Sequence, residues 1–455
     1  MPAVFTYILI MLAAIIIWFL AFKRPIYEGI LLSFIILLFV TGTWSNVFVY
    51  IDDALGTSLL YSMMAFCAMS QLLTKTKVID NCVMIIIALL GRIPGGAGYA
   101  SIVASSFMGA LSGSGPGNVM ATGTITIPAM IKSGFPPELA ANVESTASYL
   151  GNMIPPSSNI VAALGALNAY LAINGKDEVS TGTFWIVCWG CSLWFILSRF
   201  VQLFAFCKYY KIKGMAKEDV PSLKQTIKEG WSGLLLPVVI LLPFIFDAVC
   251  NANFLTARLG ATGASYFSKS LLIFTAGVAT IFGILISKDR KKMTLTEIIS
   301  TFAGSVKGIV PTVATCILGY MIGAMFTDLE VGEELQAVFE AMNFNIVTLA
   351  FVIPLITCFI SMVIPGSSIV VMLGEVFIAI FANAGADPLL VAAMLPCICG
   401  IMCGITPPFA LGMYAGMSLA KSDFTKTLKN DLWWLAAQYV LEVIVLLGVL
   451  PILGL

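Results

Sequence analysis

Histidine is absent from the 455 residues, and charged side chains make up only 11% of them. The first absence removes the commonest proton shuttle and metal ligand, and zinc hydrolase and imidazole-base mechanisms go with it. The second removes a solvated surface. Hydrophobic residues make up 59% of the chain, mean hydropathy is +0.99, and no polar segment is long enough for a soluble domain, so most of the chain belongs in a bilayer. There is no phosphate loop, because neither Gly95-Gly96-Ala97-Gly98 nor Gly113 to Gly117 is followed by Lys-Ser/Thr, which argues against an ATP-driven pump. Net charge is zero and no basic cluster is interleaved with aromatics, so nucleic acid is not an expected partner. Cysteine is plentiful, but Cys188-Trp189-Gly190-Cys191 and the run Cys397, Cys399, Cys403 lie in strongly apolar stretches. They read as small buried hydrophobes and not as a membrane redox centre.

The basic residues that remain give a topology. Lysine-rich loops face the cytoplasm, which places Lys208 to Lys228 and Lys288 to Lys292 inside. Trp231 to Val249 and Lys269 to Ser287 then cross between them, with the polar Asn251 to Ser268 loop outside. Upstream, Lys23-Arg24 is inside, Asp52-Asp53 outside and Lys75/Lys77 inside, so residues 1–77 form N-terminal scaffold spans. Met1 to Phe22 lacks a positive n-region and a small-residue cleavage site and is expected to be a retained span.

Glycine and proline interrupt the remaining apolar stretches twice over at matched spacing. In residues 78–207, Val78 to Leu90 is too short to cross and is expected along the inner face. Tyr99 to Leu111 rises, Ser112 to Gly117 bends, and Asn118 to Ile131 returns to the same side at Lys132, a re-entrant hairpin over 97–134. A span over 138–173 is broken at Pro155-Pro156, and Phe184 to Cys207 crosses back. Residues 208–307 supply cytoplasmic loops and scaffold spans, ending in an interfacial stretch Thr294 to Lys307. Residues 308–455 repeat the pattern upside down: Gly308 to Phe326 crosses to an acidic loop, and a hairpin over 345–384 turns at Pro365 to Ser368. A span over 388–420 is then broken at Pro407-Pro408, and Leu432 to Leu453 returns outward. The expected fold is an all-α polytopic membrane protein with inverted repeats, two re-entrant helical hairpins and two broken transmembrane helices, both termini outside.

Broken helices in lipid are tolerated only where protein buries the freed backbone or water lines it. Half-helix ends, freed carbonyls and hydroxyls can hold a small cation and a small anion without charged side chains, as transporters do at midplane. Close packing by small residues is the plainer reading of Ser112-Gly113-Ser114 alone, but a Pro-Pro break accompanies the tip in both halves. A channel would need a continuous polar path, which re-entrant elements block. Glu144 lies at depth in the first broken span and is a candidate coupling residue, unless it pairs with Lys132 or sits near the cytoplasmic interface; Glu375, in the second hairpin, is a weaker one.

Leu90-Gly91-Arg92-Ile93-Pro94-Gly95-Gly96, Gly109-Ala110-Leu111-Ser112-Gly113-Ser114, Ile127-Pro128-Ala129-Met130, Ile154-Pro155-Pro156-Ser157 and Ile405-Thr406-Pro407-Pro408 occur in order along the chain. Together they resemble the large membrane subunit of TRAP transporters, in the ion transporter superfamily. Gly115-Pro116-Gly117-Asn118 and Val143-Glu144-Ser145 look more like the TAXI branch. Pro116-Gly117 departs from the small alanine-like residues of many relatives. The resemblance implies a sodium-driven importer of small organic anions, usually carboxylates, working by an elevator motion in the inner membrane. No cofactor is implied beyond Na+ as coupling ion. The implied partners are an extracytoplasmic substrate-binding protein and a small four-helix membrane subunit, not fused here because the large-subunit pattern begins almost at once. A binding-protein-independent sodium- or proton-coupled carboxylate transporter is the alternative. By match of motif, cations sit among Ser112, Gly113, Ser114, Gly115, Pro155, Ser157 and Asn159, and among Pro365, Gly366, Ser367, Ser368, Thr406 and Pro407. Substrate meets Ser114, Asn118, Pro156, Ser158, Ser367 and Pro408.

Overall fold

The computed structural model describes residues 3–112, 115–250, 254–331, 334, 344–362, 366–407 and 410–455. Among these residues the regular structure is helical throughout, as lipid demands when every peptide group must be satisfied within its own segment. A scaffold begins with α1 (Ala3–Phe22), α2 (Ile26–Thr41), α3 (Val47–Gly56) and α4 (Ser58–Lys75), followed by the short α5 (Val78–Leu90). The first hairpin is α6 (Gly96–Ser112) and α7 (Gly115–Lys132). The first broken helix is α8 (Pro137–Leu150), a 3-10 turn Gly151–Met153, and α9 (Ser158–Ile173). Next come α10 (Thr181–Tyr209), α11 (Leu223–Gly230), α12 (Leu236–Cys250), α13 (Thr256–Ile286) and α14 (Leu295–Asp328). The second hairpin is α15 (Ile346–Ser361) and α16 (Gly366–Asn383). The second broken helix is α17 (Pro388–Pro396), a π-turn Cys397–Ile401, a 3-10 turn Met402–Gly404, and α18 (Leu411–Ala420); α19 (Phe424–Leu446) closes the chain.

The two halves repeat one another in detail. The return arms α7 and α16 are each 18 residues and each begins at a glycine. Each ends in a turn on a positive-φ glycine, Gly134 at 95° and Gly385 at 92°, where a side chain would be strained. Proline then opens each broken helix at its first position, where its missing N–H has no intrahelical role. The 14 residues of α8 match the nine of α17 plus the five of the π-turn, and each is followed by a three-residue 3-10 turn.

Packing shows the inversion. The arm α7 packs on α8 and on α18, whereas α16 packs on α17 and on α9. Because α8 and α9 are opposite halves of one helix, the two hairpins approach it from opposite ends, and the same holds for α17 and α18. The hairpins differ in tightness: α6 and α7 pack along one another, while α15 and α16 barely touch.

Exposed ion pairs sort the loops onto two faces. Lys75 pairs with Glu297, Lys132 with Asp219 at 3.7 Å, and Lys288 with Glu229 at 2.8 Å, which gathers the basic clusters on one side. On the other, Asn46 Nδ2 and the Tyr50 hydroxyl donate to Asp328 at 2.9 and 2.5 Å.

Two polar stretches are helix continuous with their spans, one expected at the interface and one expected as a loop. Thr294 to Lys307 does not lie apart from the following span; α14 runs 34 residues without a break, because its polar first turns pair with α4 through Lys75. The Asn251 to Ser268 segment is helical from Thr256, kinked at Gly260. Its polar end turns inward: Ser268 Oγ donates to Asp247 Oδ2 at 2.8 Å and accepts from the Thr181 amide at 3.0 Å. The Gly182 amide donates to the same carboxylate at 3.2 Å, so Asp247 caps the start of α10.

Candidate functional site

Where each hairpin tip meets its broken helix, backbone touches backbone. A Cβ on Gly151 would lie 2.4 Å from the carbonyl carbon and Cα of Gly109, and one on Gly109 would lie 2.3 Å from the Ser148 carbonyl oxygen. In the other half, a Cβ on Gly366 would lie 2.2 Å from both the Cys399 carbonyl oxygen and Gly400 Cα. Glycine is required at these approaches because any side chain would force the tip off the break.

The two breaks also meet each other, and not symmetrically. The Tyr149 ring is buried in a socket of glycines: a Cβ on Gly115, Gly404 or Gly412 would come within 2.4, 2.4 or 2.3 Å of it. The corresponding position in the second repeat is Gly400. Beside it stand the side-chain amides of Asn159 and Asn152, 3.7 and 4.0 Å from where a Cβ would lie. One side of the junction is thus filled by an aromatic ring and the other lined by two amides.

The polar groups at this junction leave acceptors unused. Asn118 donates to the Ser105 carbonyl at 2.7 Å and to Ser148 Oγ at 2.9 Å, yet its Oδ1 has no partner. Oδ1 of Asn152 and of Asn159 and Oγ of Ser368 are likewise buried and unpartnered. The Ser157 hydroxyl is committed, donating to the Asn152 carbonyl at 2.5 Å and capping α9, and Thr406 Oγ1 donates to the Met402 carbonyl at 2.6 Å. The Pro155–Pro156 peptide is cis. No cluster of three or more acidic, cysteine or histidine side chains suited to a metal ion occurs among the described residues.

Of the residues singled out by sequence, Gly113, Ser114, Pro365 and Pro408 lie outside the described residues. Ser112 ends α6 and Gly115 opens α7 against Tyr149. Pro155, Pro156, Ser157, Ser158, Asn159, Gly366, Ser368 and Thr406 are buried, and Ser367 and Pro407 are half-buried. Tyr149, Asn152 and Gly400 join this junction without having been expected there.

Glu144 is fully buried, and its carboxylate collects hydroxyls from three helices. Ser101 and Ser105 of α6 donate at 2.6 and 2.8 Å, Thr122 and Thr126 of α7 each at 2.5 Å, and Ser148 of its own helix at 3.2 Å. The first hairpin is therefore riveted to α8 through one side chain. Lys132 is not its partner; it pairs with Asp219 at the surface. The hydroxyls recur at four-residue intervals, 101/105 and 122/126, and Ser148 lies four residues after Glu144, the spacing that stacks side chains on one helical face. Glu375 is half-buried on α16. The cysteines are mostly buried, as expected, but Cys397 is more than filler, because its thiol donates to Glu442 Oε1 at 3.1 Å.

Comparison with known proteins agrees with this architecture. The family described as tripartite ATP-independent periplasmic transporter, DctM component, matches residues 6–453. The C4-dicarboxylate TRAP transporter large permease protein DctM of Vibrio cholerae is 27% identical over 403 residues, covering 85% of this chain and 83% of its own. Among solved structures, MtrF of Neisseria gonorrhoeae, described with a class of antimetabolite efflux pumps, superposes with a TM-score of 0.64 at 14% identity, over 90% of this chain and 83% of its own. The Alcanivorax borkumensis YdaH transporter gives 0.58 at 16% identity, over 87% and 88%. At those identities the structures speak to the fold alone.

Proposed function

Because the chain belongs to the DctM family of tripartite ATP-independent periplasmic transporters, we propose that it is the permease of a sodium-coupled importer of a small organic anion, a carboxylate. The observation that carries the reading is the set of buried, unpartnered oxygens on Asn118, Asn152, Asn159 and Ser368 around the meeting of two broken helices. Each such atom costs about 1–3 kcal/mol if left unmet, and neutral oxygens suit a hard monovalent cation. One cation is held by the Ser112 to Gly115 tip with Pro155, Ser157 and Asn159, joined by Asn152, and a second by Pro365 to Ser368 with Thr406 and Pro407. Substrate lies between them, among Ser114, Asn118, Pro156, Ser158, Ser367 and Pro408. The carboxylate class is favoured by the dicarboxylate name of the Vibrio cholerae relative.

The hairpins and broken helices form the moving body of an elevator, sliding against the scaffold of α1 to α4 and α12 to α14. The chain works in the inner membrane with a small membrane subunit and an extracytoplasmic binding protein, both termini outside, and releases its substrate chemically unchanged.

Sodium binding is testable without knowing the substrate. The purified protein is expected to unfold at a higher temperature in sodium chloride than in potassium chloride of equal ionic strength. The gain is about 2.7 kcal/mol per site when sodium is a hundredfold above its Kd. Reconstituted with its two partners and succinate as probe, it should accumulate the probe only under an inward sodium gradient. Identical unfolding midpoints in the two salts, or equal uptake in potassium, would overturn the assignment.

A further inference from the structure

A second polar system lies away from the junction, along one face of α19. Thr427, Asp431, Trp434, Gln438 and Glu442 all lie on this face and are at most 2% exposed. From Thr427 to Glu442 the column is roughly 22 Å long at about 1.5 Å per residue, more than half the thickness of a bilayer core. Its lower end reaches the surface beside Lys421, Lys426 and Lys429, where Ser422 and Thr427 share a hydrogen bond of 2.9 Å. Its upper end reaches the second break.

The column holds three charged groups without a direct ion pair. Arg199 of α10 is buried, lies over the Trp434 ring at 5.4 Å, and donates through Nη2 to Gln438 Oε1 at 2.8 Å. Gln438 Nε2 donates in turn to Glu442 Oε1 at 3.0 Å and to Cys397 Sγ at 2.8 Å. The remaining polar atoms are stranded: Nε and Nη1 of Arg199, Oε2 of Glu442, both carboxylate oxygens of Asp431, Nε1 of Trp434 and Oδ1 of Asn142. Asn142, on α8, stands alongside Asp431 and donates to the Thr427 carbonyl at 3.2 Å. The titratable groups facing the column from neighbouring helices are Arg199 and Cys191 of α10, Cys358 of α15, and Cys397 and Cys399 of the π-turn, with Tyr439 on α19 itself. Arg199 is the one fixed positive charge among them, set against two carboxylates.

We propose that Asp431 and Glu442, sharing one buried column with Arg199 and Gln438, form a membrane-buried proton site that holds one exchangeable proton and fills from the end of α19 nearest Lys421. With both carboxylates ionised the column would carry an uncompensated negative charge in the membrane interior, which is costly. A single proton removes it and turns an unpartnered carboxylate oxygen into a hydrogen-bond donor. Ionisable groups aligned in this way along a transmembrane helix are the means by which transporters pass protons. Glu144 offers the contrast, since five hydroxyls already meet its oxygens.

The test is labelling of the intact protein in lipid nanodiscs with dicyclohexylcarbodiimide, which reacts with protonated carboxyl groups in apolar surroundings, followed by peptide mapping. Adducts are expected at Asp431 or Glu442, falling by up to about tenfold per pH unit above the titration point. Arg199→Met should carry that labelling to higher pH, because losing a nearby positive charge favours the protonated form. The wild-type profile decides the matter even if the variant does not fold. No adduct on either residue at any pH, or labelling indifferent to pH, overturns the proposal and identifies the column as a static hydrated network. Neither sodium nor substrate enters the measurement, so its failure would leave the sodium reading untouched.

Discussion

Glu144→Ala is expected to abolish uptake and to lower the stability of the whole protein. The substitution removes the acceptor for five hydroxyls on α6, α7 and α8. Thr122 and Thr126 also have carbonyl acceptors one turn back, at Asn118 and Thr122, so they are not stranded. Ser101 has no such alternative, and Ser105 keeps only its contact with Thr122 at 3.0 Å. Each stranded hydroxyl costs about 1–3 kcal/mol, and the hairpin loses its attachment to the broken helix as well. Glu144→Gln keeps the volume and one acceptor and should fall between wild type and alanine in both uptake and unfolding temperature. A coupling role predicts a different order: the glutamine variant would be as stable as wild type and yet fail to accumulate substrate. Unfolding temperature and uptake, measured together on the two variants, separate holding from coupling.

Gly366→Ala and Gly151→Ala are expected to reduce uptake at least as severely. The added methyl would sit 2.2 Å from the Cys399 carbonyl oxygen and Gly400 Cα in the first case, and 2.4 Å from Gly109 backbone in the second. No flexible side chain can yield at either contact, so tip and break must separate. Overpacking of this kind costs roughly 1–3 kcal/mol. The same change at Gly277, where a Cβ meets nothing within 4 Å on a lipid-facing helix, should be silent. Uptake by all three variants at matched membrane levels tests this, and normal transport by Gly366→Ala would show that the close approach is not needed.

The repeat was legible in the sequence because clusters of glycine and proline recur at matched spacing in both halves, whereas single prolines such as Pro128 and Pro354 lie inside helices. The hydroxyls of the Glu144 cradle were legible too, at four-residue spacing, although only Glu144 itself drew notice. What could not be read depends on partners distant along the chain. Nothing near Tyr149 announces that Gly115, Gly404 and Gly412 will enclose its ring. Asn251 to Ser268 looked like an outside loop, and Thr294 to Lys307 like an interfacial stretch, because they are polar. In the fold Ser268 meets Asp247 and Glu297 meets Lys75, and polarity met by a neighbouring helix leaves no mark of its own in sequence. Arg199, a single charge in a long apolar span, drew no notice for the same reason.

Two hairpins approach a shared junction from opposite ends of the broken helices, and cysteine accessibility checks this arrangement. In a background without the native cysteines, a single cysteine replaces Ser133 beside Lys132, or Ala386 beside Asp387, in intact membranes treated with a membrane-impermeant thiol reagent from one side at a time. The first position is expected to be labelled only from the cytoplasm and the second only from outside. Labelling of both positions from the same face would contradict the inverted repeat and remove the physical basis for the shared site.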